Sequence, residues 1–130
     1  MYQKIINKAF EARKNAYAPY SKFKVGACVK TKDGNYFLGA NIENASYSAT
    51  MCAERNAVYG AYCNGYKKEE IEMLAIVADS KIVVTPCGTC RQVLRELIPE
   101  DCLIVLANYQ EYKITTMKEL LPMAFTEENL

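Results

Sequence analysis

Apolar positions along the chain change period several times, and each change marks an expected element. From Met1 to Tyr17, residues Ile5, Ile6, Ala9, Phe10, Arg13 and Tyr17 recur at spacings of one, three and four, which predicts an amphipathic helix. Ala18-Pro19-Tyr20-Ser21 stops it, because the residue before a proline avoids the helical region. Phe23, Val25, Ala27 and Val29 then alternate with Lys24, Gly26, Cys28 and Lys30, the period of two that a strand requires. Lys32-Asp33-Gly34-Asn35 reads as a turn, with Tyr36 to Glu43 as the returning strand of a hairpin. Residues 52 to 65 predict a helix that ends at Asn64-Gly65. Met73 to Ala78 and Cys102 to Ala107 are apolar throughout, as buried strands are. Between them, Pro86-Cys87-Gly88-Thr89-Cys90 leads into a helix through about Leu97, stopped before Pro99. A short strand around Tyr112 to Ile114 and a helix from Thr116 to Leu121 follow. Two strands, then helices alternating with buried strands, predict an α/β fold: three layers, α/β/α, around a mixed, roughly five-stranded sheet.

No internal repeat, low-complexity tract or Pro/Gly/Ser linker interrupts this order, so residues 1–130 are expected to form a single domain. For this length the scaling laws give roughly 7,000 Å² of folded surface against about 21,000 Å² extended, enough burial for one core. Hydrophobic residues at 51% and charged residues at 24% exclude a disordered chain. A net charge of +1 gives no electrostatic reason for non-specific nucleic-acid binding. The longest apolar runs are far too short to span a bilayer, so no membrane partner is expected. Lys4, Lys8, Glu11, Arg13 and Lys14 scatter charge through the first twenty residues and leave no signal-peptide stretch. The six cysteines are therefore expected as thiols or metal ligands in a cytoplasmic protein.

Absence of histidine narrows the chemistry. Ser-His-Asp and Cys-His mechanisms and His-ligated zinc are excluded, leaving thiolate and carboxylate. Cys87 and Cys90 form a CxxC at the start of an expected helix, where three-residue spacing shares a face and the helix dipole favours thiolate. A thioredoxin-like redox pair is the rival, but the motif lies two-thirds of the way along the chain and has no flanking tryptophan. Cys52 and Glu54, two apart, converge only on something ahead of their helix's first turn. Three cysteines and a carboxylate suggest zinc with three thiolates and an open fourth position. Cys28, Cys63 and Cys102 are expected to be inert packing residues, although a structural zinc site would draw a fourth ligand from among them. Arg55 shares a face with Cys52, and a cation there draws charge from sulfur, which three thiolates on one Zn²⁺ need if water is to be acidified.

Cys52-x-Glu54 followed by Pro86-Cys87-x-x-Cys90 resembles the all-cysteine form of the zinc nucleoside and nucleobase deaminase signature. Ala16-Tyr-Ala-Pro-Tyr-Ser21, Phe23-x-Val-Gly-Ala27, Gly39-x-Asn-Ile-Glu-Asn-Ala45, Cys52-Ala-Glu-Arg55, Pro86-Cys-Gly-x-Cys-Arg-Gln92 and Leu120-Leu-Pro-x-Ala-Phe125 extend the likeness along almost the whole chain, to the small homotetrameric cytidine deaminases. The resemblance implies one zinc per subunit held by Cys52, Cys87 and Cys90, with Glu54 as proton shuttle. It implies Asn41 and Glu43 at the ribose 3′-hydroxyl, Phe23 as a wall of the base pocket and the Ala53 N–H on the pyrimidine 2-oxygen. Phe125 is implied as an aromatic lent to a neighbouring subunit's site, and Tyr47 as a ribose contact across the interface.

The implied reaction is hydrolytic deamination of cytidine and 2′-deoxycytidine to the uridines and ammonia, by zinc-activated water attacking C4. The implied partners are a nucleoside and other copies of the chain, in a homotetramer with shared sites. Thr89, Asn56, Met123 and residues 48 to 51 depart from the usual pattern, and residues 46 to 51 border the implied pocket. Two alternatives are a same-fold deaminase of another aminopyrimidine, such as a nucleoside antibiotic, and a non-enzymatic module stapled by zinc on four cysteines. A nucleic-acid deaminase would require a basic stripe that the sequence lacks.

Overall fold

The computed structural model describes residues 1–130. Helix α1 (Gln3–Arg13) precedes the hairpin β1 (Val25–Thr31) and β2 (Tyr36–Ala40). Helix α2 (Ala53–Cys63), strand β3 (Ile71–Ala78), helix α3 (Gly88–Leu97), strands β4 (Leu103–Ala107) and β5 (Tyr112–Thr115), and the short helix α4 (Met117–Leu120) follow. The five strands form one mixed sheet in the order β2-β1-β3-β4-β5. Strand β1 is antiparallel to both neighbours, β3 and β4 are parallel, and β5 is antiparallel to β4.

This topology fixes where the helices go. With β1 antiparallel to β2 and β3, those two strands run the same way and end at the same edge of the sheet. The connections β2-α2-β3 and β3-α3-β4 both progress in one direction across the sheet, and right-handed crossovers put both helices on one face. Side-chain alternation confirms the two faces. Ala27, Val29, Leu74, Ile76, Ile104 and Leu106 point into a core with α2 and α3. Cys28, Ala75, Val77, Val105 and Ala107 point the other way, onto Ile5, Ile6 and Ala9 of α1. The expected three layers and five strands are both present. No helix is long and apolar enough to cross a membrane.

Element ends differ from the expectation in instructive ways. Helix α1 stops at Arg13 rather than Tyr17, because the next N–H groups tighten to carbonyls three residues back and the Tyr17 N–H goes to Asn41 O at 2.9 Å. Strand β2 ends at Ala40 rather than Glu43, since Ile42 turns to exchange backbone bonds with Met51 at 2.9 Å. Strand β1 starts at Val25 rather than Phe23, because Asn41 Oδ1 accepts the Val25 N–H.

Two glycines permit the layers to meet. A Cβ at Gly26 would stand 2.0 Å from Ala9 O of α1, and one at Gly39 would stand 2.3 Å from Ala53 O of α2. Both clashes are with backbone, so the helix must move. We predict that Gly39→Ala lifts the start of α2, costs about 1–3 kcal/mol in urea unfolding and speeds metal loss. A variant that unfolds and holds metal like the native chain would contradict this contact.

Candidate active site

Both helices that leave the shared sheet edge begin on a cysteine. Cys52 is the N-cap of α2 and Cys87 the N-cap of α3, each with extended backbone. The Cys87 sulfur accepts the Cys90 N–H at 3.5 Å, as a capping oxygen would. The sulfurs of Cys52, Cys87 and Cys90 lie within 4.8 Å of one another, with Cys52 and Cys87 at 4.0 Å. Four ligands placed tetrahedrally at about 2.3 Å require sulfurs roughly 3.8 Å apart, so each sulfur pair is within about 1 Å of the spacing zinc needs.

Charge is prepared there. The Cys90 thiol donates to Cys52, which, against its burial and with Arg55 beside it, brings the Cys52 pKa down to about 5. The same bond to Cys52, together with burial, raises Cys90. Arg55 Nη2 donates to Cys52 Sγ at 3.6 Å. Burial opposes the arginine's charge, but its bonds to Cys52 and Cys90 more than offset this. Cys28, Cys63 and Cys102 are not in the cluster. Cys28 and Cys102 are buried as expected, their thiols pushed up to about 12 by desolvation. Cys63 differs from the expectation: it sits exposed in the last turn of α2, on the side away from the core.

A cavity of about 330 Å³ opens beside the cluster, with Cys52, Cys87, Glu54 and Ala53 among its lining residues. Asn41 and Glu43 line it, and Phe23 is in its wall. Glu54 is only 5% exposed, and desolvation raises its pKa, with the Cys52 charge adding to the rise. Glu43 is the opposite case. Its Oε2 accepts from the Ser21 hydroxyl and its Oε1 from the Tyr20 and Ser21 N–H groups at 3.0 Å, which lowers its pKa. Those bonds also hold the turn in which Lys22 takes φ +61°, a conformation that costs an ordinary side chain about 1–2 kcal/mol. Phe23 reaches the cavity through that turn. Asn41 is fixed too, its Nδ2 donating to Phe23 O at 2.8 Å.

Two expected residues lie apart from this chain's own cavity. Tyr47 borders a neighbouring depression that shares Ser21, Glu43 and Thr50 with it, and Phe125 lies in the exposed C-terminal segment. Met51, Ile76, Val84 and Thr85 also line the cavity, and sequence reasoning did not single them out. Met51 and Thr50 fall in the segment that departs from the usual pattern, and Thr85 precedes Pro86, which were the available clues. A larger groove of about 760 Å³ between α1 and the β4–β5 turn holds no thiol or buried carboxylate.

The family model for the cytidine and deoxycytidylate deaminase zinc-binding region matches residues 1–106. The chain belongs to this family. It is 50% identical over 129 residues to a cytidine deaminase of Halalkalibacterium halodurans, covering 98% of this chain and 96% of the relative. It is 43% identical to one of Sporosarcina psychrophila, covering 98% and 93%. A 1.6 Å crystal structure of cytidine deaminase from Burkholderia pseudomallei matches with a TM-score of 0.93 and 44% identity over 96% of this chain and 99% of that one. The cytidine deaminase of Mycobacterium tuberculosis matches at 0.82 and 36% identity over 95% and 96%. Members of the family are zinc-dependent hydrolytic enzymes, and the thiol cluster is able to hold the metal.

Thiol titration at pH 8 tests this sorting. The zinc-loaded chain is expected to give one fast thiol, Cys63. Chelation adds Cys52 and Cys87, and denaturant is needed for the buried Cys28, Cys90 and Cys102. Three fast thiols before chelation would contradict the metal site.

Proposed function

We propose that the chain is a single catalytic domain that hydrolyses cytidine and 2′-deoxycytidine to uridine and 2′-deoxyuridine with release of ammonia, in pyrimidine salvage. The observation that carries this is that one cavity is lined both by a buried carboxyl and cysteines of the three-sulfur cluster and by a hydrogen-bonding pair, Asn41 and Glu43. Bound by Cys52, Cys87 and Cys90, zinc supplies acidification of water at neutral pH. Glu54 takes a proton from the attacking water and passes it to ring N3, then takes the proton of the new C4 hydroxyl and delivers it to the amino group, which leaves as ammonia while the C4 carbonyl forms. A group that both accepts and donates works best near the operating pH, and burial moves Glu54 in that direction. Arg55 draws charge from the Cys52 sulfur and so opposes the excess negative charge of three thiolates.

Substrate is held by groups with spare capacity. The carboxylate of Glu43 already accepts three bonds, which leaves about one of its four lone-pair positions for a sugar hydroxyl. The Asn41 amide keeps one donor hydrogen beyond its bond to Phe23 O. This pair reads the ribose 3′-hydroxyl. Ala53 is the first residue of α2, so its N–H has no intrahelical acceptor and serves the pyrimidine 2-oxygen. Phe23 forms one wall of the base site. Phe125, exposed and absent from the lining of its own cavity, and Tyr47, in the depression beside it, act across a subunit boundary in a homotetramer. A cytoplasmic location suits six unpaired cysteines.

Subunit mixing tests the roles together. Glu54→Gln is expected to keep its zinc and lose about 10²–10⁴-fold in kcat. Phe125→Ala is expected to raise KM by roughly 5- to 150-fold, the range for lost base stacking. Tetramers reassembled from both variants regain sites with native KM and kcat, because Glu54 and Phe125 then come from different chains. Mixed samples no better than the sum of their parts would exclude shared sites, and near-native turnover by Glu54→Gln would exclude the shuttle.

A further inference from the structure

The residues after the second metal-cluster cysteine of α3, Arg91 and Gln92, take no part in the chemistry above, yet both reach far along the chain. Arg91 is half-buried in the first turn and a half of α3. Its Nε donates to Pro86 O and its Nη1 to Leu120 O, each at 2.8 Å. Gln92 Nε2 donates to Phe125 O at 2.8 Å. We propose that Arg91 is a positioning residue that ties the Pro86–Cys87 turn of the metal site to the C-terminal arm carrying Phe125, so that each holds the other in place. The proposal rests on the zinc-deaminase reading for its kinetic consequence only.

Three features support it. Leu120 ends α4, so its carbonyl has no donor within the helix, and Arg91 supplies the missing one. Guanidinium nitrogens are fixed in one plane, so two simultaneous bonds set the distance between the two carbonyls; a lysine ammonium cannot do that. The arm beyond α4 needs help to hold its course. Met123 takes φ +52°, an unfavourable conformation for an ordinary side chain, and it is fully exposed, without contacts to hold it. Its two flanks are pinned instead, by Arg91 at Leu120 and by Gln92 at Phe125. Successive residues of the helix that starts on Cys87 therefore grip both ends of the arm's turn.

The test uses the full zinc-loaded chain with Arg91→Ala, Arg91→Lys and Gln92→Ala. Zinc transfer to a chromogenic chelator and amide exchange across residues 121–126 need no substrate; kcat and KM for cytidine are read beside them. Arg91→Ala is expected to speed zinc loss about ten-fold or more, to speed arm exchange, and to raise KM more than it lowers kcat. Gln92→Ala speeds arm exchange and raises KM while zinc loss stays native. Arg91→Lys, which keeps the charge and the stem and so guards against simple misfolding, restores at most one of the two substrate-free readouts. Native zinc loss or native arm exchange in Arg91→Ala overturns the proposal, as does full recovery of both in Arg91→Lys. A native chain without deaminase activity would refute the enzymatic reading and leave both substrate-free readouts able to decide the clamp.

Discussion

Everything at the site depends on two helices starting at one point. Strands β2 and β3 are separated by β1, which is antiparallel to both, so they end at the same sheet edge about 10 Å apart. Helices leaving that edge on one face bring their N-termini together, and the residues at those N-termini are Cys52 and Cys87. The N–H groups left free there favour negative charge, and Cys52, bonded to Cys90 and Arg55, has its pKa lowered while burial pushes the Cys28 and Cys102 thiols up. Gly39 sets how closely α2 approaches the sheet, and through α2 the position of Cys52 and Glu54.

From that convergence the electrostatics follow. Zinc with three thiolates carries a net charge of −1, which by itself weakens the acidification of water. The chain answers with Arg55, whose guanidinium is held against the Cys52 sulfur. Two carboxyl groups then border one cavity with their pKa values moved in opposite directions. Glu54 is desolvated and its pKa rises, whereas Glu43, bonded to Ser21 and Tyr20, is held as carboxylate. Environment alone separates the two carboxyls, as the roles proposed for them require.

Much of this was legible in the residues, and the failures have physical causes. Strand and helix identity followed from local periodicity, and Cys52, Glu54, Cys87 and Cys90 stood out because each lies at an expected helix start. What escaped were ends and links that depend on distant partners. Strand β2 stops short because Ile42 finds Met51, and the turn at Lys22 exists because the distant Glu43 accepts its neighbours' donors. Cys63 was grouped with the packing cysteines because its helix is rich in alanine, but only the helix's docking angle shows which side faces water. The grip of Arg91 on Leu120 spans 29 residues, and no local pattern encodes it. Phe125 stands exposed and apart from its own chain's cavity, so the role proposed for it needs a neighbouring subunit.

X-ray absorption at the zinc edge of the purified native chain tests the central claim most directly. Three sulfur neighbours at about 2.3 Å and one lighter ligand near 2.0 Å are the expected first shell, the arrangement of a site with one position open to water. Four sulfurs would mean a closed structural site that enlists another cysteine, and a chain that binds no zinc would remove the basis of the mechanism altogether.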